Sequence, residues 1–287
     1  MKKNAILESV MRIIFFIAAC ASVLAVVLIC VFLFANGIPA MGEVGIFKFL
    51  FGQLWRPSND IYGILPFILG SIYVTAGAIV VGVPLALLTS IFLAKYCPKK
   101  IYEVCKSGIN LMAGIPSVIY GFFGLIVIVP LVKQIFNIRA GQTMLTASIL
   151  LGIMILPTVV GVAESALQSV PESYYEGSLA LGATHSRSFF FVMVPAAKSG
   201  IVAGIVLGIG RAIGETMAVI MIAGNQPAMP RGLLNGVRTL TSNIVMEMGY
   251  ATGLHREVLI ATGVVLFVFI LLINLIVTVL KRRDTNE

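Results

Sequence analysis

The longest polar interruption on the predicted cytoplasmic side of this chain is residues 169–198, SVPESYYEGSLALGATHSRSFFFVMVPAAK. Ser169 and Glu172 have the spacing of a capping box, with Pro171 in the first turn, so we expect a helix to begin there. Gly182 is expected to end this helix, because glycine tolerates the left-handed conformation beyond a helix end. The pattern predicts a first short helix outside the bilayer.

A second short helix is predicted to follow in the same stretch. It begins near Thr184, carries three consecutive phenylalanines at residues 189–191 and ends before Pro195. Two short helices with exposed aromatic side chains indicate a surface to which a partner protein can bind. A re-entrant or interfacial hairpin is the alternative that the composition leaves open.

The composition identifies the broad class of protein. Of the 287 residues, 59% are hydrophobic and 11% are charged, and the mean hydropathy is +1.04. A soluble core does not need this much apolar sequence, so we expect an all-α polytopic membrane protein. The net charge of +8 is divided among short loops without a basic, aromatic-rich stripe, which argues against nucleic-acid binding.

Six apolar runs are long enough to cross a bilayer, given about 20 residues per span. They lie at residues 13–34, 67–94, 108–132, 143–165, 200–224 and 259–280. Most lysines and arginines near the span ends then fall on the side of both termini, so the positive-inside rule predicts cytoplasmic termini. The first run is too long for the apolar core of a signal peptide, and we expect it to remain as a helix.

Several predicted spans contain residues that weaken helices. These are residues 82–84 (Gly-Val-Pro), residues 114–117 (Gly-Ile-Pro-Ser) and Pro157. Each is either an ordinary kink or a gating element. The fifth span carries Gly200, Gly204 and Gly208 at four-residue intervals, which predicts close packing against another helix, of this chain or of a partner.

Two predicted external segments are long. Residues 36–66 carry several aromatic side chains, spaced like an amphipathic stretch at the membrane interface. Residues 225–257 are the longest and least apolar external segment. Arg231 and Arg238 could receive an anion or a carrier protein there, together with Thr239, Thr241 and Ser242, although a solvated loop is the expected interpretation.

Two charged residues stand within the fifth predicted span. Arg211 and Glu215 are one helical turn apart and therefore on one predicted helix face. Because charges at this depth are unfavourable unless they pair or face a cavity, the two are either a structural pair or a polar gate on a translocation path. A guanidinium can donate two hydrogen bonds to one oxyanion, and Glu215 would hold it in place.

Other polar residues are weaker candidates. Thr216 and Asn225 could line the path or simply bond between helices, and we expect Glu164, at the end of the fourth span, to face cytoplasmic water.

No metal, disulfide or ATP site is expected in this chain. His185 and His255 have no other metal-ligating residues near them in the sequence, so no metal site is expected. The four cysteines lie outside the external segments, so no structural disulfide is predicted. The sequence has no GxxxxGK[ST] loop, so we do not expect the chain to supply an ATP site.

Residues 169–198 also resemble the EAA loop of ABC importer permeases. Glu176, Gly182 and Pro195 stand in the register of that motif, while Gly177 and Ser178 replace its two alanines. In that family the loop docks into a separate ATPase subunit and transmits its motion. The resemblance therefore implies that four residues couple this chain to an ATPase: Glu176, Gly177, Gly182 and Pro195.

A second resemblance covers nearly the whole chain. Residues 208–225, GIGRAIGETMAVIMIAGN, closely resemble the signature of the PstC-type permeases of bacterial phosphate importers. Further matching stretches are residues 51–58, 63–75, 111–125, 154–160 and 239–249. In that family an arginine and a glutamate of this helix are implicated in phosphate passage, which corresponds to Arg211 and Glu215. The resemblance implies the type I ABC importer permease fold.

The same resemblance implies the setting of the chain. We expect a non-catalytic, multi-pass subunit of the bacterial inner (plasma) membrane that works with a PstA-type permease and an external phosphate-binding protein. A dimer of ATPase subunits would bind ATP and magnesium, and this chain would hold no cofactor. The predicted organisation is an N-terminal helix with an external segment (1–65), a transmembrane domain (66–280) and a cytoplasmic tail (281–287).

Three other interpretations stay open at this point. A permease for another oxyanion, such as molybdate or sulfate, fits the arginine equally well, because only the resemblance favours phosphate. A secondary transporter driven by an ion gradient would use Glu215 as its ion-coupled carboxylate, but the inverted repeats typical of that class are not found in the sequence. An intramembrane enzyme would need a nucleophile–base pair within the spans, and the sequence offers none.

Overall fold

The computed structural model describes residues 2–284, and this part of the chain is almost entirely helical. The longer helices are α1 (Lys2–Val44), α3 (Leu65–Ile91), α4 (Lys99–Gly114), α7 (Met144–Gln168), α11 (Lys198–Gly214) and α14 (Gly253–Asp284). The shorter ones are α2 (Ile46–Phe51), α5 (Ser117–Phe123), α6 (Val129–Ile135), α8 (Glu172–Ala180), α9 (His185–Ser188), α10 (Val194–Ala196), α12 (Met217–Ile222) and α13 (Leu240–Met248). Strands β1 (Trp55–Arg56) and β2 (Ile61–Tyr62) pair antiparallel.

A 3₁₀ helix, Pro57–Asn59, lies between β1 and β2. Three short π-helical segments, called π-turns below, continue α3, α5 and α9: Phe92–Tyr96, Gly124–Ile128 and Phe189–Met193. We call the end of the molecule that holds residues 36–66 and 223–257 the outer end, and the end that holds 169–198 the inner end. These names follow the predicted topology, and the orientation of the termini stays a prediction.

Five stretches are long and apolar enough to cross a membrane. They are Val10–Val44, Leu65–Tyr96, Ser117–Ile135, Met144–Gln168 and Gly253–Leu275. The helices His185–Ala196 and Lys198–Gly214 form a pair bent by 65°, which is a sixth candidate span when the two are counted as one. The expected all-α polytopic architecture is confirmed.

The third predicted span begins nine residues too early, at 108 instead of 117. Pro116 holds Ile115 in an extended conformation (φ −71°, ψ 124°), which ends α4 at Gly114. α4 is therefore a separate helix, and none of its side chains is fully buried. By contrast, Pro84 and Pro157 lie inside continuous helices, so these two expected interruptions do not break a span.

α7 is the central helix of the bundle. It packs along α3 on one side and along α11 on the other. Leu150, Leu151, Met154 and Ile155 are each at most 2% exposed. A helix that is apolar on nearly all faces lies either inside a protein core or in a membrane, and most of α7 is buried inside the protein.

The glycine stripe of α11 faces α7 of the same chain. The sequence alone did not show whether the packing partner belongs to this chain or to another. A Cβ added to Gly200 would lie 2.4 Å from Ala166 Cβ, and one added to Gly208 would lie 2.7 Å from Val159 Cγ2. Gly204, between them, also meets α7. The predicted close packing is confirmed.

Gly200→Ala is expected to destabilise the chain by about 1–3 kcal/mol, as is typical of overpacking. The clash is with a Cβ that is fixed to the backbone of α7 and cannot rotate away. Gly210→Ala in the same helix is the matched control, because no atom lies within 4 Å of its added Cβ and alanine favours a helix by up to about 1 kcal/mol over glycine. Thermal unfolding in detergent compares the two. Equal unfolding temperatures would show that the stripe is not a packing face.

The outer segment is folded into the protein rather than spread along the membrane surface. Phe49, Trp55 and Tyr62 are buried in a core that α3 and α14 also line. Phe47 and Phe51 remain exposed, with ring centroids 6.4 Å apart. The predicted interfacial stretch is therefore wrong for the buried side chains, because the β-hairpin and α2 turn them toward the bundle.

Candidate translocation site and coupling element

The fifth predicted span is interrupted beside its charged residues. α11 ends at Gly214, Glu215 is extended (φ −68°, ψ 130°), and α12 begins two residues later. The prediction that Arg211 and Glu215 share one helix face is therefore wrong. Two contacts stabilise the break: Glu215 Oε1 accepts a hydrogen bond from the Ala218 amide at 3.3 Å, and the Thr241 hydroxyl donates to the Glu215 carbonyl at 3.1 Å.

Arg211 is oriented from α7. Its Nη1 donates to the hydroxyl of Thr158 at 3.1 Å, and its side chain is half-buried. The role expected for Glu215, holding the guanidinium in place, is taken by this neutral residue. A hydroxyl fixes the direction of the guanidinium but does not neutralise its charge.

Thr216 and Asn225 lie at the two ends of α12. The Thr216 hydroxyl donates to the Gly214 carbonyl at 3.1 Å. Asn225 has a left-handed backbone (φ 49°), and its Nδ2 donates to the Ile220 carbonyl at 2.6 Å. Both side chains shape the chain around α12, and their place on a translocation path stays a prediction.

A buried charged cluster at the outer end was not predicted. Glu247 is 6% exposed. Its Oε2 accepts from Trp55 Nε1 at 2.9 Å and lies 2.9 Å from His255 Nε2, and its Oε1 accepts from Arg238 Nη1 at 2.6 Å. The same Nη1 donates to Asn243 Oδ1 at 3.0 Å. We call these five residues the outer polar cluster.

The outer polar cluster connects β1, α13, α14 and the turn after α12. It reaches that turn because Arg238 Nε also donates to the Asn225 carbonyl at 3.1 Å. The expected solvated loop is therefore wrong for Arg238 and for the buried side chains that follow it, Thr239, Thr241 and Ser242. It is right for Arg231, which is exposed. His255, which the sequence left without a role, contacts Glu247.

Two tyrosines beside the outer polar cluster stay neutral. Burial and a hydrogen bond to Asp60 at 3.2 Å raise the pKa of Tyr62 to about 12. Burial and the nearby Glu247 carboxylate raise the pKa of Tyr250 above its usual value. With Glu247 and His255 they line an open cavity of about 540 Å³. The two phenols therefore add no negative charge to this wall at physiological pH.

Glu164 does not face water as expected. It is 1% exposed and accepts hydrogen bonds from the Tyr102 hydroxyl at 2.7 Å, Lys106 Nζ at 2.5 Å and Gln168 Nε2 at 3.2 Å. A buried carboxylate needs such partners, because burying an unpaired charge is strongly unfavourable. Since α4 supplies two of the three donors, this contact fastens α4 to α7.

Residues 169–198 form two short helices, as predicted, and we call this stretch the coupling element. α8 is ended by Gly182 in the left-handed region (φ 84°). α9 follows Thr184, whose hydroxyl accepts from the Arg187 amide at 3.3 Å. The four residues predicted to contact an ATPase are all exposed: Glu176, Gly177, Gly182 and Pro195. Their coupling role stays a prediction.

Two details of the coupling element differ from expectation. The Ser169 hydroxyl donates to the Ala166 carbonyl at 2.8 Å, so Ser169 closes α7 instead of capping α8, which follows Pro171. The second helical stretch does not end before Pro195, because the π-turn carries it into α10, where Pro195 stands in the first turn.

The chain belongs to a family of membrane permeases. The family model described as "Binding-protein-dependent transport system inner membrane component" matches residues 82–285. The matched range contains both the coupling element and the break at Glu215. Together with the candidate spans, this assignment makes the chain a multi-pass membrane protein.

Curated relatives are similar over most of the chain. It is 37% identical over 275 residues to the probable ABC transporter permease protein YqgH of Bacillus subtilis, covering 93% of this chain and 89% of the relative. It is 33% identical over 279 residues to the probable phosphate transport system permease protein PstC of Methanocaldococcus jannaschii, covering 89% and 88%. It is 32% identical over 286 residues to the phosphate transport system permease protein PstC of Mesorhizobium japonicum, covering 92% and 87%.

Solved structures share the fold at low sequence identity. A bacterial alginate ABC transporter in complex with an alginate pentasaccharide-bound periplasmic protein gives a TM-score of 0.65 at 16% identity, covering 94% of this chain and 95% of that one. The inward-facing MetNI methionine ABC transporter gives 0.61 at 20% identity, covering 80% and 99%. The expected type I ABC importer permease fold is confirmed.

Proposed function

We propose that this chain is the permease subunit of an ATP-driven importer of inorganic phosphate. The observation that carries the proposal is Arg211, which lies within the helical bundle and is oriented by the neutral hydroxyl of Thr158. A charge at membrane depth is unfavourable unless it faces a cavity or a counter-charge, and a passing oxyanion supplies that counter-charge. Similarity to relatives named as phosphate permeases supports phosphate as the oxyanion.

In this mechanism phosphate docks on the planar fork of Arg211 through two charge-assisted hydrogen bonds. Thr158 restrains the fork, so little orientation is lost when the anion arrives. Thr216 and Asn225 line the path at the two ends of α12. Glu215 has the same sign of charge as phosphate and prevents permanent trapping of the anion at the arginine.

The chain works within a complex. A PstA-type permease forms a heterodimer with it, and the path runs along their interface. A dimer of ATPase subunits binds ATP and magnesium and contacts the coupling element at Glu176, Gly177, Gly182 and Pro195, and an external binding protein delivers phosphate. This chain is non-catalytic and holds no cofactor of its own.

The complex lies in the bacterial inner (plasma) membrane with both termini of this chain in the cytoplasm. Residues 1–65 supply the first helix and an outer segment, 66–280 form the transmembrane domain, and 281–287 are a cytoplasmic tail, of which residues 285–287 lie outside the described part of the chain. ATP binding closes the ATPase dimer, draws the coupling elements of the two permeases together and opens the path outward. Release of the dimer after hydrolysis opens it inward.

Uptake of labelled phosphate tests this proposal. The chain and the products of its neighbouring genes are made in cells that lack phosphate importers, and initial rates are compared with and without excess sulfate or molybdate. We expect uptake that neither anion suppresses and that Glu176→Lys abolishes although the variant still inserts, because the coupling contact is lost. Transport of sulfate or molybdate without phosphate would assign another oxyanion. Phosphate uptake that persists without the ATPase would indicate a gradient-driven transporter.

A further inference from the structure

Tyr175, the residue before Glu176, is held from two sides. Its hydroxyl is 2.7 Å from His185 Nδ1, and the two rings lie 6.0 Å apart. On the ring face, Lys95 Nζ lies 3.5 Å from the ring centroid. Tyr175 belongs to α8, His185 to α9 and Lys95 to the π-turn that ends α3. A single side chain thus joins the coupling element to a membrane-crossing helix.

The chemistry of these contacts gives the junction a defined geometry. A cation is attracted to the face of an aromatic ring, so Lys95 restrains the tilt of the Tyr175 ring. The hydrogen bond to His185 restrains its rotation in the ring plane, because it needs a short donor–acceptor distance. The ring therefore cannot shift relative to α3 without weakening the Lys95 contact, and it cannot shift relative to α9 without losing the hydrogen bond to His185.

The end of α3 makes a second contact with the coupling element. Tyr96, next to Lys95, packs edge-to-face on Phe189 with ring centroids 6.0 Å apart. Phe189 is buried against Leu167 of α7 and Ala197. α3 in turn packs along α7, from which Thr158 orients Arg211. A displacement of α8 that is passed to α3 thus reaches the helix that orients the arginine.

We propose that Lys95, Tyr175 and His185 are positioning residues that transmit motion of the coupling element to α3. This inference rests on the proposed function only in that α8 is taken as the ATPase contact. The proposed role of the three residues is to position helices and not to bind phosphate or nucleotide. They determine how far α3 moves during each cycle of ATP binding and hydrolysis.

The test uses the assembled complex in lipid vesicles and measures phosphate transported per ATP hydrolysed. Lys95→Met keeps an aliphatic stem and removes the cation, and Tyr175→Phe keeps the ring and removes the hydroxyl. We expect each to lower this ratio at least twofold while ATP hydrolysis continues and the ATPase still copurifies. Lys95→Arg should restore the ratio, since a guanidinium also sits on aromatic faces. Lys99→Met, at an exposed lysine of α4, is the matched control.

A second measurement does not depend on the substrate. With Cys20, Cys30 and Cys105 replaced by alanine, the remaining thiol, Cys97, reports the environment of the end of α3. We expect its rate of maleimide labelling to differ between the nucleotide-free and ATP-trapped complex, and Lys95→Met and Tyr175→Phe to remove that difference.

The outcomes separate the two proposals. Wild-type complex that moves no phosphate contradicts the proposed function, and the Cys97 labelling still decides the role of the three residues. Variants that keep the wild-type ratio and the wild-type labelling difference overturn the positioning role. A parallel fall of transport and hydrolysis at an unchanged ratio also overturns it, because that result indicates a structural defect alone.

Discussion

Arg211→Gln is expected to lower the rate of phosphate uptake at least a hundredfold while the chain still folds and inserts. Glutamine stays polar, but its amide nitrogen lies two bonds short of the Nη1 atom that donates to Thr158, and it carries no charge and no bidentate donor group. Each hydrogen bond to a charged group contributes about 1.5–3 kcal/mol, and two are lost. Uptake of labelled phosphate in cells without other phosphate importers measures the effect, with the amount of inserted protein as the reference.

Three further variants make this result specific. Arg211→Lys keeps the charge and loses the bidentate fork, so an intermediate rate is expected. Thr158→Val should raise the phosphate concentration at half-maximal rate, because it removes the group that orients the guanidinium. Arg139→Gln, at an exposed arginine of the outer end, should leave uptake unchanged. Normal transport by Arg211→Gln would make the arginine structural and place the anion path elsewhere.

Arg238→Met is expected to destabilise the folded chain by about 3–5 kcal/mol, the effect of removing one partner of a buried ion pair. Glu247, which is 6% exposed, would keep its charge and lose its cationic partner at 2.6 Å. The Asn225 carbonyl and Asn243 Oδ1 would lose the same donor group. Thermal unfolding of purified protein in detergent measures the loss.

A double variant distinguishes an unpaired charge from lost packing. Arg238→Met with Glu247→Met removes both partners, and we expect it to unfold at a higher temperature than Arg238→Met alone, because no buried charge is left unpaired. Arg231→Met, at an exposed arginine of the same segment, should unfold like the wild type. The loss of stability in the double variant is compared with the sum of the losses in Arg238→Met and Glu247→Met. A loss larger than that sum would show that the unpaired charge is not what destabilises Arg238→Met.

The membrane architecture could be predicted from the sequence because runs of about 20 apolar residues have few other outcomes. The coupling element could be predicted because its signals are local: Gly182 and Thr184 act on their own backbone. The start of the third span could not be predicted from apolar composition, because Pro116 holds Ile115 extended and so ends α4 before the span begins.

The break at Glu215 and the outer polar cluster could not be predicted from local patterns. Residues 200–224 form one apolar run long enough to cross a bilayer. A contact that stabilises the break comes from Thr241, 26 residues after Glu215. Glu247 is paired with Trp55 across 192 residues of sequence. A lone glutamate between two methionines was the available signal, and only the tertiary fold gives it partners.

The break in the fifth span also bears on how the subunit is made. Irregular backbone is tolerated at membrane depth only where its polar groups find partners. Here the Glu215 carboxylate and the Thr241 hydroxyl provide two of them from within the same chain. Neither contact requires a residue of another chain, so two polar groups of the break are already partnered when the chain enters the bilayer. These two contacts can therefore form during insertion, before any other subunit binds.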